Sequence, residues 1–353
     1  MRTPSTVSRP LLRWFARARR DLPWREEIRD PYRVWLSEVM LQQTRVEVVL
    51  PYYRRFLDRF PTLQALAGAG EDEVLALWSG LGYYARGRNL HRAALAAAAR
   101  GGLPRTAAEL GELPGFGPYT AAAVASLAFG EQVPLVDGNV ARVLARVLRL
   151  AGDAREVRSR AWKEAPRLLP AGRAGEFNEA LMELGATVCT PRRPRCEACP
   201  IAGACAARRH GDPEAFPAAQ TRRERPELLW AAAALRRTDG AVLLRRRGEG
   251  ELFAGLWDLP SADARGIAPE AAARAALAGC GLHAPHQPLE RCGEVRQVLT
   301  HRELRVVVFA GRSRRGRAPP GLRWAGACDL PALGLSSLAR KCLRASEIGQ
   351  ASS

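Results

Sequence analysis

Four cysteines stand close enough together in this sequence to bind a metal centre. They follow the spacing C-x6-C-x2-C-x5-C and are Cys189, Cys196, Cys199 and Cys205. Their thiolates are soft ligands that can close around a metal ion or a cluster. Zinc is the generic expectation for four cysteines, but it usually binds two separate C-x2-C knuckles. A single C-x2-C between two more distant cysteines favours an iron–sulfur cluster, although spacing alone leaves zinc open.

Two acidic residues, Asp137 and Glu38, lie at positions that suit charge stabilisation and general acid catalysis. Asp137 directly precedes a helical stretch, where it would cap the helix and could also stabilise positive charge developing on a substrate. Glu38 interrupts an apolar helical stretch, where burial would favour its neutral form and suit a general acid at neutral pH. A simple capping residue and a surface glutamate are the competing interpretations.

A glycine-containing hairpin lies shortly before Asp137. The segment 113–120 reads Leu-Pro-Gly-Phe-Gly-Pro-Tyr-Thr and joins two helical stretches. Gly115 and Gly117 would let the backbone turn tightly and present N–H groups at the start of the next helix. Such an arrangement binds a phosphate without reading base sequence. A lone Gly-x-Gly is weak evidence, but its position between two helices and before an isolated acid predicts a phosphate-binding hairpin.

Two differently built halves must position these residues. Residues 1 to about 210 carry Ala- and Leu-rich stretches with amphipathic spacing, separated by Gly or Pro, and predict a helical domain over 1–212. The predicted helices are 34–50, 71–79, 90–100, 119–129, 140–150 and 177–187. The polar, proline-containing segment 213–227 predicts a linker.

The pattern changes after the linker to that of a smaller α+β domain. Residues 228–345 form this domain in our prediction, and 346–353 form a tail. Short runs that predict strands alternate with a hairpin signal at Asp239-Gly240 and one helical stretch. The predicted strands are 228–235, 241–245 and 302–310, and the predicted helix is 269–278.

Composition allows a nucleic-acid partner and argues against a membrane span. The chain has 353 residues, of which 47% are hydrophobic, and a formal net charge of +18. A basic surface gains affinity for phosphates by releasing counterions, but this excess is almost all arginine and proves nothing alone. No apolar run reaches the length of about 18 residues that a membrane helix needs. The arginine-rich start could be a transit peptide, but its apolar stripe favours the first helix of the fold. That stripe is Leu11, Leu12, Trp14 and Phe15.

Five co-linear motifs together resemble the MutY family, the adenine glycosylases of the helix–hairpin–helix superfamily. They are SEVMLQQT at 37–44, GLGYYAR at 80–86, the hairpin at 113–120, VDGNV at 136–140 and the four cysteines. The match runs from about Trp14 to Cys205 and continues more loosely to about residue 345. The resemblance implies an all-α helix–hairpin–helix glycosylase domain with a [4Fe–4S] cluster loop. A smaller α+β, Nudix-like domain would follow it.

The resemblance also implies a reaction for the two acids. Glu38 would protonate a flipped adenine at N7 and then help to position water. Asp137 would stabilise the oxocarbenium-like sugar electrostatically or through a transient bond, and Tyr119 would orient this pair. The position of Tyr119 carries lysine in the related endonuclease III lyases. A lysine amine can form a Schiff base with the sugar whereas a phenol cannot, so a monofunctional glycosylase is expected.

Further residues would contact the bases. The residues that match the adenine pocket are Trp24, Arg25, Val46 and Glu179. Of these, Arg25 and Glu179 would hydrogen-bond the edges of the base. Gln43 and Tyr83 would wedge into the duplex and compensate for stacking lost when the nucleotide is extruded. From the residues alone, the apolar pair could equally belong to the core and the charged pair could be an ion pair.

The second domain resembles the Nudix fold but lacks its catalytic glutamates. A working Nudix hydrolase holds Mg²⁺ with several glutamates, and the corresponding segment 274–281 has none. The resemblance therefore implies a module that detects 8-oxoguanine opposite adenine. Many family members read this lesion with Phe-Ser-His, where the present chain has Leu299, Thr300 and His301. The Thr300 hydroxyl could accept from the N7–H of the lesion, while His301 could also be a plain strand-edge residue.

The expected partner is double-stranded DNA with A:8-oxoguanine or A:G mispairs. We expect a monomer without membrane association, in the cytoplasm of a bacterium at the nucleoid. Two other interpretations stay open, namely an endonuclease III-like glycosylase/lyase acting on oxidised pyrimidines and a non-catalytic DNA-binding module. The missing glutamates argue against a Nudix hydrolase with an accessory helical domain.

Overall fold

Helices account for most of the first 218 residues of this chain in the computed structural model, which describes residues 4–218, 224–282, 288–314 and 316–351. In chain order they are α1 (Pro4–Ala18), α2 (Pro31–Leu41), α3 (Val46–Arg59), α4 (Leu63–Ala67), α5 (Glu71–Trp78), α6 (Ala85–Ala99), α7 (Ala107–Leu110), α8 (Pro118–Ala128), α9 (Gly138–Leu148), α10 (Ala154–Glu164), α11 (Ala174–Thr187) and α12 (Ala206–Arg209). The helices predicted over 71–79, 119–129 and 177–187 are confirmed to within a few residues.

One hydrophobic core holds α1, α9 and α11 together. Leu11 and Phe15 of α1 are almost fully buried, as are Val143 of α9 and Leu184 of α11. Burying such a side chain stabilises the fold by roughly 1.5–3 kcal/mol. The first apolar stripe is therefore a helix of the fold, as predicted. This packing fixes the N-terminal end of α9, where Asp137 lies.

The helix predicted over 34–50 is wrong in its extent, because α2 ends at Leu41 and α3 begins at Val46. Between them Gln43 has a φ of 56°, which a continuous α-helix does not contain. The N–H of Thr44 donates to the carbonyl oxygen of Leu41 at 3.3 Å. Apolar spacing continues across the break, so hydrophobic periodicity could not reveal it. The break leaves Gln43 at an exposed corner.

A mixed sheet forms the centre of the second half. Its strands are β1 (Glu227–Arg237), β2 (Val242–Arg246), β3 (Trp257–Asp258), β4 (Ser261–Asp263), β5 (Glu290–Val298), β6 (Glu303–Ser313) and β7 (Leu322–Ala325), and its helices are α13 (Pro269–Gly279) and α14 (Ser337–Ala351). The strand order is β3-β2-β1-β6-β5, with β4 paired to β1 and β7 to β2. The pair β1–β6 is parallel and the others are antiparallel. The hairpin predicted at Asp239-Gly240 is confirmed as the turn from β1 to β2.

Alternate residues of the central strands face opposite sides of this sheet. Ala232 and Ala234 of β1 pack with α14 on one face, whereas Ala231 and Ala233 pack with α13 on the other. This follows from the two-residue period of a strand. Both faces of the sheet are therefore buried, each under one helix.

The chain divides into two compact units, residues 1–67 with 92–222 and residues 68–91 with 223–353. The division after 222 falls in the predicted linker, of which 219–223 lie outside the described residues. Our prediction placed residues 68–91 in the first domain, 1–212, whereas they belong to the second unit. Within that unit, Ser79 donates to the carbonyl oxygen of Leu335 at 2.8 Å, and Arg246 pairs with Glu71 at 2.8 Å. The predicted tail begins inside α14.

A helix that crosses a membrane needs about 20 mostly apolar residues. Among the described residues, no helix is both long and apolar enough to cross a bilayer.

Candidate active site

A cavity of about 900 Å³ opens in the first unit, between α2, the start of α8, the start of α9 and α11. Its size lies within the usual range of small-molecule sites. Ten of the residues predicted from the sequence line it, namely Trp24, Arg25, Glu38, Gln43, Val46, Gly115, Gly117, Tyr119, Asp137 and Glu179. The fold therefore gathers both predicted acids, the hairpin glycines and the predicted base-contacting residues of this unit around one space.

Glu38 is a buried acid and not a surface glutamate. Its residue is 5% exposed, and its Oε2 accepts a hydrogen bond from the hydroxyl of Tyr119. Burial raises the pKa of Glu38 to about 7, and the negative charges of Glu179 and Asp137 act in the same direction, while the Tyr119 hydrogen bond and Arg25 oppose them. Glu38 can therefore carry a proton near neutral pH, as a general acid must.

Asp137 caps α9, as predicted, and keeps donors around it that Glu38 lacks. Its Oδ1 accepts from the N–H of Val140 at 2.6 Å. Burial raises the pKa of Asp137, but the Val140 N–H and the charges of Arg142 and Arg158 oppose that rise. Hydrogen bonds and cations stabilise a carboxylate. The Val140 N–H and the two arginines therefore favour the ionised form of Asp137, against the effect of its burial.

The two glycines of the hairpin differ in what they require. Gly115 has a φ of 76°, a conformation in which a side chain is strained. Gly117 has an ordinary φ of −85° as the N-cap of α8, and a Cβ placed there would meet nothing within 4 Å. Our prediction that Gly117 is needed for a tight turn is therefore wrong. Since no side chain caps α8, this helix end can accept an anion through its backbone.

The remaining predicted pocket residues of this unit combine packing with access to the cavity. Trp24 is buried and meets the ring of Tyr53 edge-on, with centroids 5.2 Å apart. Val46 is the half-buried first residue of α3. The Nε of Arg25 lies 3.4 Å from Oε1 of Glu179, so these two form the ion pair that we had left open. Both members of that pair still line the cavity.

Sequence reasoning missed six charged residues of the cavity wall, and three of them pair with one another or with Glu179 or Arg25. Arg20, Arg29 and Glu183 all line it. A signal for the last of these was present, because Glu183 follows Glu179 by four positions in an otherwise apolar helical stretch. Like charges at this spacing face the same side of a helix and repel each other, unless cations lie opposite them. Such a pair in an apolar run therefore indicates an arginine- or lysine-bearing partner segment.

The two predicted wedge residues share an unusual backbone conformation. Gln43 has a φ of 56° and Tyr83 a φ of 49°, in the left-handed region that non-glycine residues rarely occupy. Both are exposed, and 42% of Tyr83 is accessible to solvent. Strained residues of this kind concentrate at binding sites, where the fold over-determines them. Gln43 belongs to the first unit and Tyr83 to the second.

The predicted lesion-reading loop lies in the second unit together with Tyr83. The hydroxyl of Tyr83 is 2.6 Å from Oγ1 of Thr300, and both are exposed. Leu299 is half-buried against the core of this unit, and its N–H donates to the carbonyl oxygen of Arg302 at 2.9 Å. His301 is exposed in the loop between β5 and β6. The fold thus presents two hydroxyls, held together, at the surface of the second unit.

The four clustered cysteines follow α11 and lie beside the core of the first unit. Burial raises the pKa of Cys199 to about 11, and the nearby thiols of Cys189, Cys205 and Cys196 raise it further. Within the described part of the chain, no three His, Cys, Asp or Glu side chains approach closely enough to hold one metal ion. Four thiolates in one short loop are the donor set that an iron–sulfur cluster takes.

Two arginines of α9 fix the start of this cysteine loop. Arg146 is 2% exposed and donates to Sγ of Cys189 at 3.3 Å and to the carbonyl oxygen of Thr190 at 2.7 Å. Arg142 donates to the carbonyl oxygen of Cys189 at 2.9 Å. A buried cation beside thiolates offsets part of their mutual repulsion. The loop is thereby anchored on the helix that Asp137 caps.

We expect Cys199→Ser to remove the cluster and most of the DNA affinity of the protein. Serine is a hard ligand that replaces one of four thiolates, and loss of the cluster frees the loop that carries Arg192, Arg193 and Arg195. The purified variant should be colourless where the wild type is brown, and should melt at a lower temperature. Cys328→Ser is the control, since Cys328 is an exposed thiol of the second unit and should leave colour and binding unchanged. A brown Cys199→Ser variant would contradict the assignment.

Three family profiles match separate parts of the chain. Residues 36–167 match the HhH-GPD superfamily of base excision DNA repair proteins, residues 189–205 match the iron–sulfur binding domain of endonuclease III, and residues 231–345 match the NUDIX domain. The second match covers the four cysteines, so this loop is an iron–sulfur binding loop. The third covers the sheet of the second unit.

Proteins of established function are similar over most of the chain. The adenine DNA glycosylase of Rattus norvegicus is 37% identical over 90% of this chain and 73% of its own length, and that of Homo sapiens is 36% identical over 95% and 72%. The solved structure of a thermostable thymine-DNA glycosylase is 29% identical, with a TM-score of 0.53, and covers 59% of this chain and 97% of its own. The fold, the iron–sulfur loop and these relatives together show that this chain belongs to the MutY family of adenine DNA glycosylases.

Proposed function

We propose that this adenine DNA glycosylase acts on adenine mispaired with 8-oxoguanine or guanine and leaves the DNA strand intact. The observation that carries the proposal is the cavity in which the buried carboxyl of Glu38, held by Tyr119, shares one space with Asp137 at the start of α9. An acid that protonates a leaving base and an anion that stabilises the sugar are what hydrolysis of an N-glycosidic bond requires.

The first step is proton transfer from Glu38 to N7 of the extruded adenine. The hydroxyl of Tyr119 donates to Oε2 of Glu38, which leaves the proton on Oε1 and free to reach the base. Protonation at N7 lets the bond between C1′ and N9 break with its electron pair leaving on the base. Trp24 and Val46 supply apolar contacts to the flipped ring, and this burial offsets part of the cost of extrusion.

The second step is addition of water to the sugar. Asp137, as a carboxylate, stabilises the positive charge that develops on C1′. Water then forms a bond to C1′ and loses its proton to the carboxylate of Glu38. This transfer restores the acid, and the products are free adenine and an abasic site.

Strand cleavage is not part of the proposed reaction. A lyase needs an amine that attacks the sugar carbon, and the position of that amine in endonuclease III is occupied here by Tyr119. The chain contains only two lysines, Lys163 and Lys341. Neither is among the described residues that line the cavity. A monofunctional enzyme fits this arrangement better than an endonuclease III-like lyase.

The hairpin and the cysteine loop would hold the DNA backbone. The start of α8, uncapped by any side chain, would receive a phosphate behind Gly115 and Gly117. The cluster, when bound, ties four thiolates together and so fixes the exposed basic loop that carries Arg192, Arg193 and Arg195. These contacts read no base sequence and would set the register of the enzyme on the duplex.

The second unit would read the base opposite adenine. In 8-oxoguanine N7 carries a hydrogen, whereas in guanine it is an acceptor. When Thr300 donates to the hydroxyl of Tyr83, 2.6 Å away, its lone pairs are left to accept from that N7–H. Leu299 and His301 flank this hydroxyl in the chain.

A panel of duplexes tests the proposed function. Wild-type enzyme should release adenine from A:8-oxoguanine and A:G duplexes in single-turnover reactions, and should leave A:T duplexes intact. The strand should break only after alkali treatment, and borohydride should trap no covalent complex. Excision of thymine glycol with adenine left attached, or trapping of a Schiff base, would overturn the proposal in favour of a lyase.

We expect the rate constant for excision to be level below about pH 7 and to fall above it. Glu38 must be protonated to act as an acid, and its pKa of about 7 sets the pH at which the protonated fraction begins to fall. Above that value the fraction drops about tenfold per pH unit. Single-turnover kinetics from pH 5 to 9 check this; a rate constant that rises with pH through this range would contradict it.

We expect Thr300→Val to reduce the preference for A:8-oxoguanine over A:G about tenfold. The substitution keeps the shape of the side chain but removes its hydroxyl, and one lost hydrogen bond to a base typically costs about 1–3 kcal/mol of discrimination. The ratio of single-turnover rate constants on the two duplexes is the measurement. Thr238→Val, at an exposed position of the turn from β1 to β2, is the control and should leave the ratio unchanged. A preserved ratio in Thr300→Val would show that this hydroxyl does not read the lesion.

A further inference from the structure

A continuous ladder of five charged side chains lines one wall of the cavity. Arg20 and Arg25 both pair with Glu183, at 2.7 and 2.8 Å, and Arg29 pairs with Glu179 at 2.7 Å. Arg25 joins the two halves, because its Nε lies 3.4 Å from Oε1 of Glu179. The order Arg20–Glu183–Arg25–Glu179–Arg29 therefore alternates in sign along its whole length, and all five residues face the same space.

Glu183 is the most enclosed member and has no oxygen left for a ligand. Its side chain has no exposed surface. Its Oε1 accepts from Nε of Arg20 at 2.7 Å and from the backbone N–H of Arg20 at 3.3 Å, while its Oε2 accepts from Nη2 of Arg20 at 3.1 Å and from Nη2 of Arg25 at 2.8 Å. A carboxylate saturated in this way can orient its partners but cannot itself contact a base.

Arg25 and Glu179 have the opposite property, because each keeps one unsatisfied or weakly held atom. The side chain of Arg25 is 8% exposed, and its Nε has no hydrogen-bond partner among the described residues. Oε1 of Glu179 has this Nε as its ion-pair neighbour at 3.4 Å, outside hydrogen-bond geometry. A buried donor without a partner costs stability. The fold therefore bears a cost to hold the Arg25 donor and the Glu179 acceptor side by side without a hydrogen bond between them.

We propose that Glu183 is a positioning residue that holds Arg25 beside Glu179 so that the two read one edge of the base. The inference rests on the proposed function and extends it to base selection. Adenine offers a ring nitrogen that accepts and an exocyclic amino group that donates, which match the Arg25 donor and the Glu179 acceptor. Guanine offers a carbonyl oxygen and an N–H in the reverse order, so each atom would meet its like. A site that leaves polar groups unpaired rejects the wrong ligand strongly.

The ladder itself explains why Glu183 must be charged. Arginine has only donors, so Arg20 and Arg25 can share one side chain only when both of its oxygens accept. Glutamine at this position would turn an amide N–H₂ towards one of the two guanidinium groups. Arg25 would then keep its bond to the carbonyl oxygen of Arg20 at 3.1 Å but lose its bond to a charged acceptor. A displacement of about 1 Å in such a group can cost about a hundredfold in rate.

The test compares adenine with purine, which lacks the exocyclic amino group, in wild type and Glu183→Gln. We expect the single-turnover rate constant on adenine to fall about 10- to 100-fold in the variant, with purine affected less, so that the adenine-to-purine ratio also falls. A merely structural role would slow both substrates by one factor. Glu176→Gln is the matched control, because Glu176 is on α11 too and pairs with Arg173 at the surface; it should match wild type.

A second variant guards against misfolding of the first. The side chain of Arg20 is 37% exposed, so its replacement disturbs the fold less than that of Glu183. Arg20→Gln removes one partner of Glu183 and should lower the adenine-to-purine ratio about three- to tenfold. An unchanged ratio in either folded variant overturns the inference. The assay is run on both A:8-oxoguanine and A:G duplexes. If the wild type shows no preference for A:8-oxoguanine or A:G duplexes over A:T, the proposed function is refuted. The ratio of the rate constants for adenine and purine would still decide the role of Glu183.

Discussion

Replacing Glu38 with glutamine should lower the rate of adenine excision at least about a thousandfold while DNA binding stays within a few-fold of wild type. Glutamine keeps the acceptor for the Tyr119 hydroxyl but cannot give a proton to the base, and positioned acids contribute about 10²- to 10⁴-fold to such reactions. Single-turnover release of adenine and a gel-shift titration are the two measurements. A variant that still excises adenine at more than a tenth of the wild-type rate would remove Glu38 from the reaction.

The same substitution should make the protein more stable at alkaline pH. Because burial raises the pKa of Glu38 from 4.5 to about 7, ionisation of this group opposes folding as the pH rises between these values. Over that window the wild type loses about 3 kcal/mol of unfolding free energy that the glutamine variant would not lose. The difference in unfolding free energy between the two proteins, measured by denaturant titration at pH 4.5 and pH 8, should grow in favour of Glu38→Gln. A constant difference would mean that Glu38 is ionised when buried.

Asp137→Asn should lower the rate constant by about 10²- to 10³-fold with little change in melting temperature. Asparagine is as good an N-cap as aspartate, so the bond to the Val140 N–H can be kept. What is lost is the negative charge that faces the developing cation, and removing one such electrostatic contact costs about 10²- to 10³-fold. The variant separates the two properties of Asp137 that the sequence could not separate.

Asp153→Asn is the matched control for this effect. Asp153 caps α10, accepts from the backbone N–H groups of Arg155 and Glu156, and is not among the residues that line the cavity. The substitution should therefore leave both rate and melting temperature close to wild type. Equal rates for Asp137→Asn and Asp153→Asn would reduce Asp137 to a helix cap.

Local patterns in the sequence were sufficient where spacing along the chain determines geometry. The four cysteines and the cap at Asp137 each depend on neighbours within a few positions. The length of the cysteine loop limits how far apart its four thiols can lie, and the start of α9 fixes which backbone N–H groups Asp137 can reach. The short, continuous apolar run of β1 likewise predicted a strand, because both faces of a central strand are buried.

Features that depend on distant parts of the chain were not predictable in the same way. Hydrophobic periodicity continued across the break at 42–45, because apolar residues are buried in the helices on both sides of it. The segment 68–91 joins the second unit through bonds such as that from Ser79 to Leu335, which no local pattern announces. The burial of Glu38 was undecided for the same reason, since its helix is apolar on most sides and only the packing of α8 against it settles which side is enclosed.

The charged ladder shows most clearly how chemistry can be hidden in a sequence. Glu183 lies 158 positions from Arg25 along the chain, yet the two side chains are 2.8 Å apart. The sequence showed one member of this contact as an ordinary helix glutamate. Its repetition at four-residue spacing after Glu179 becomes informative only when a cationic partner is sought.

The measurement that bears most directly on the central claim uses a duplex in which 7-deazaadenine replaces adenine opposite 8-oxoguanine. This base keeps the shape and the amino group of adenine but has a carbon at the position that Glu38 would protonate. The account predicts binding within a few-fold of the adenine duplex and no detectable release of the base in single-turnover reactions. Release of 7-deazaadenine at a rate comparable to that of adenine would contradict it, because cleavage would then proceed without a proton at N7.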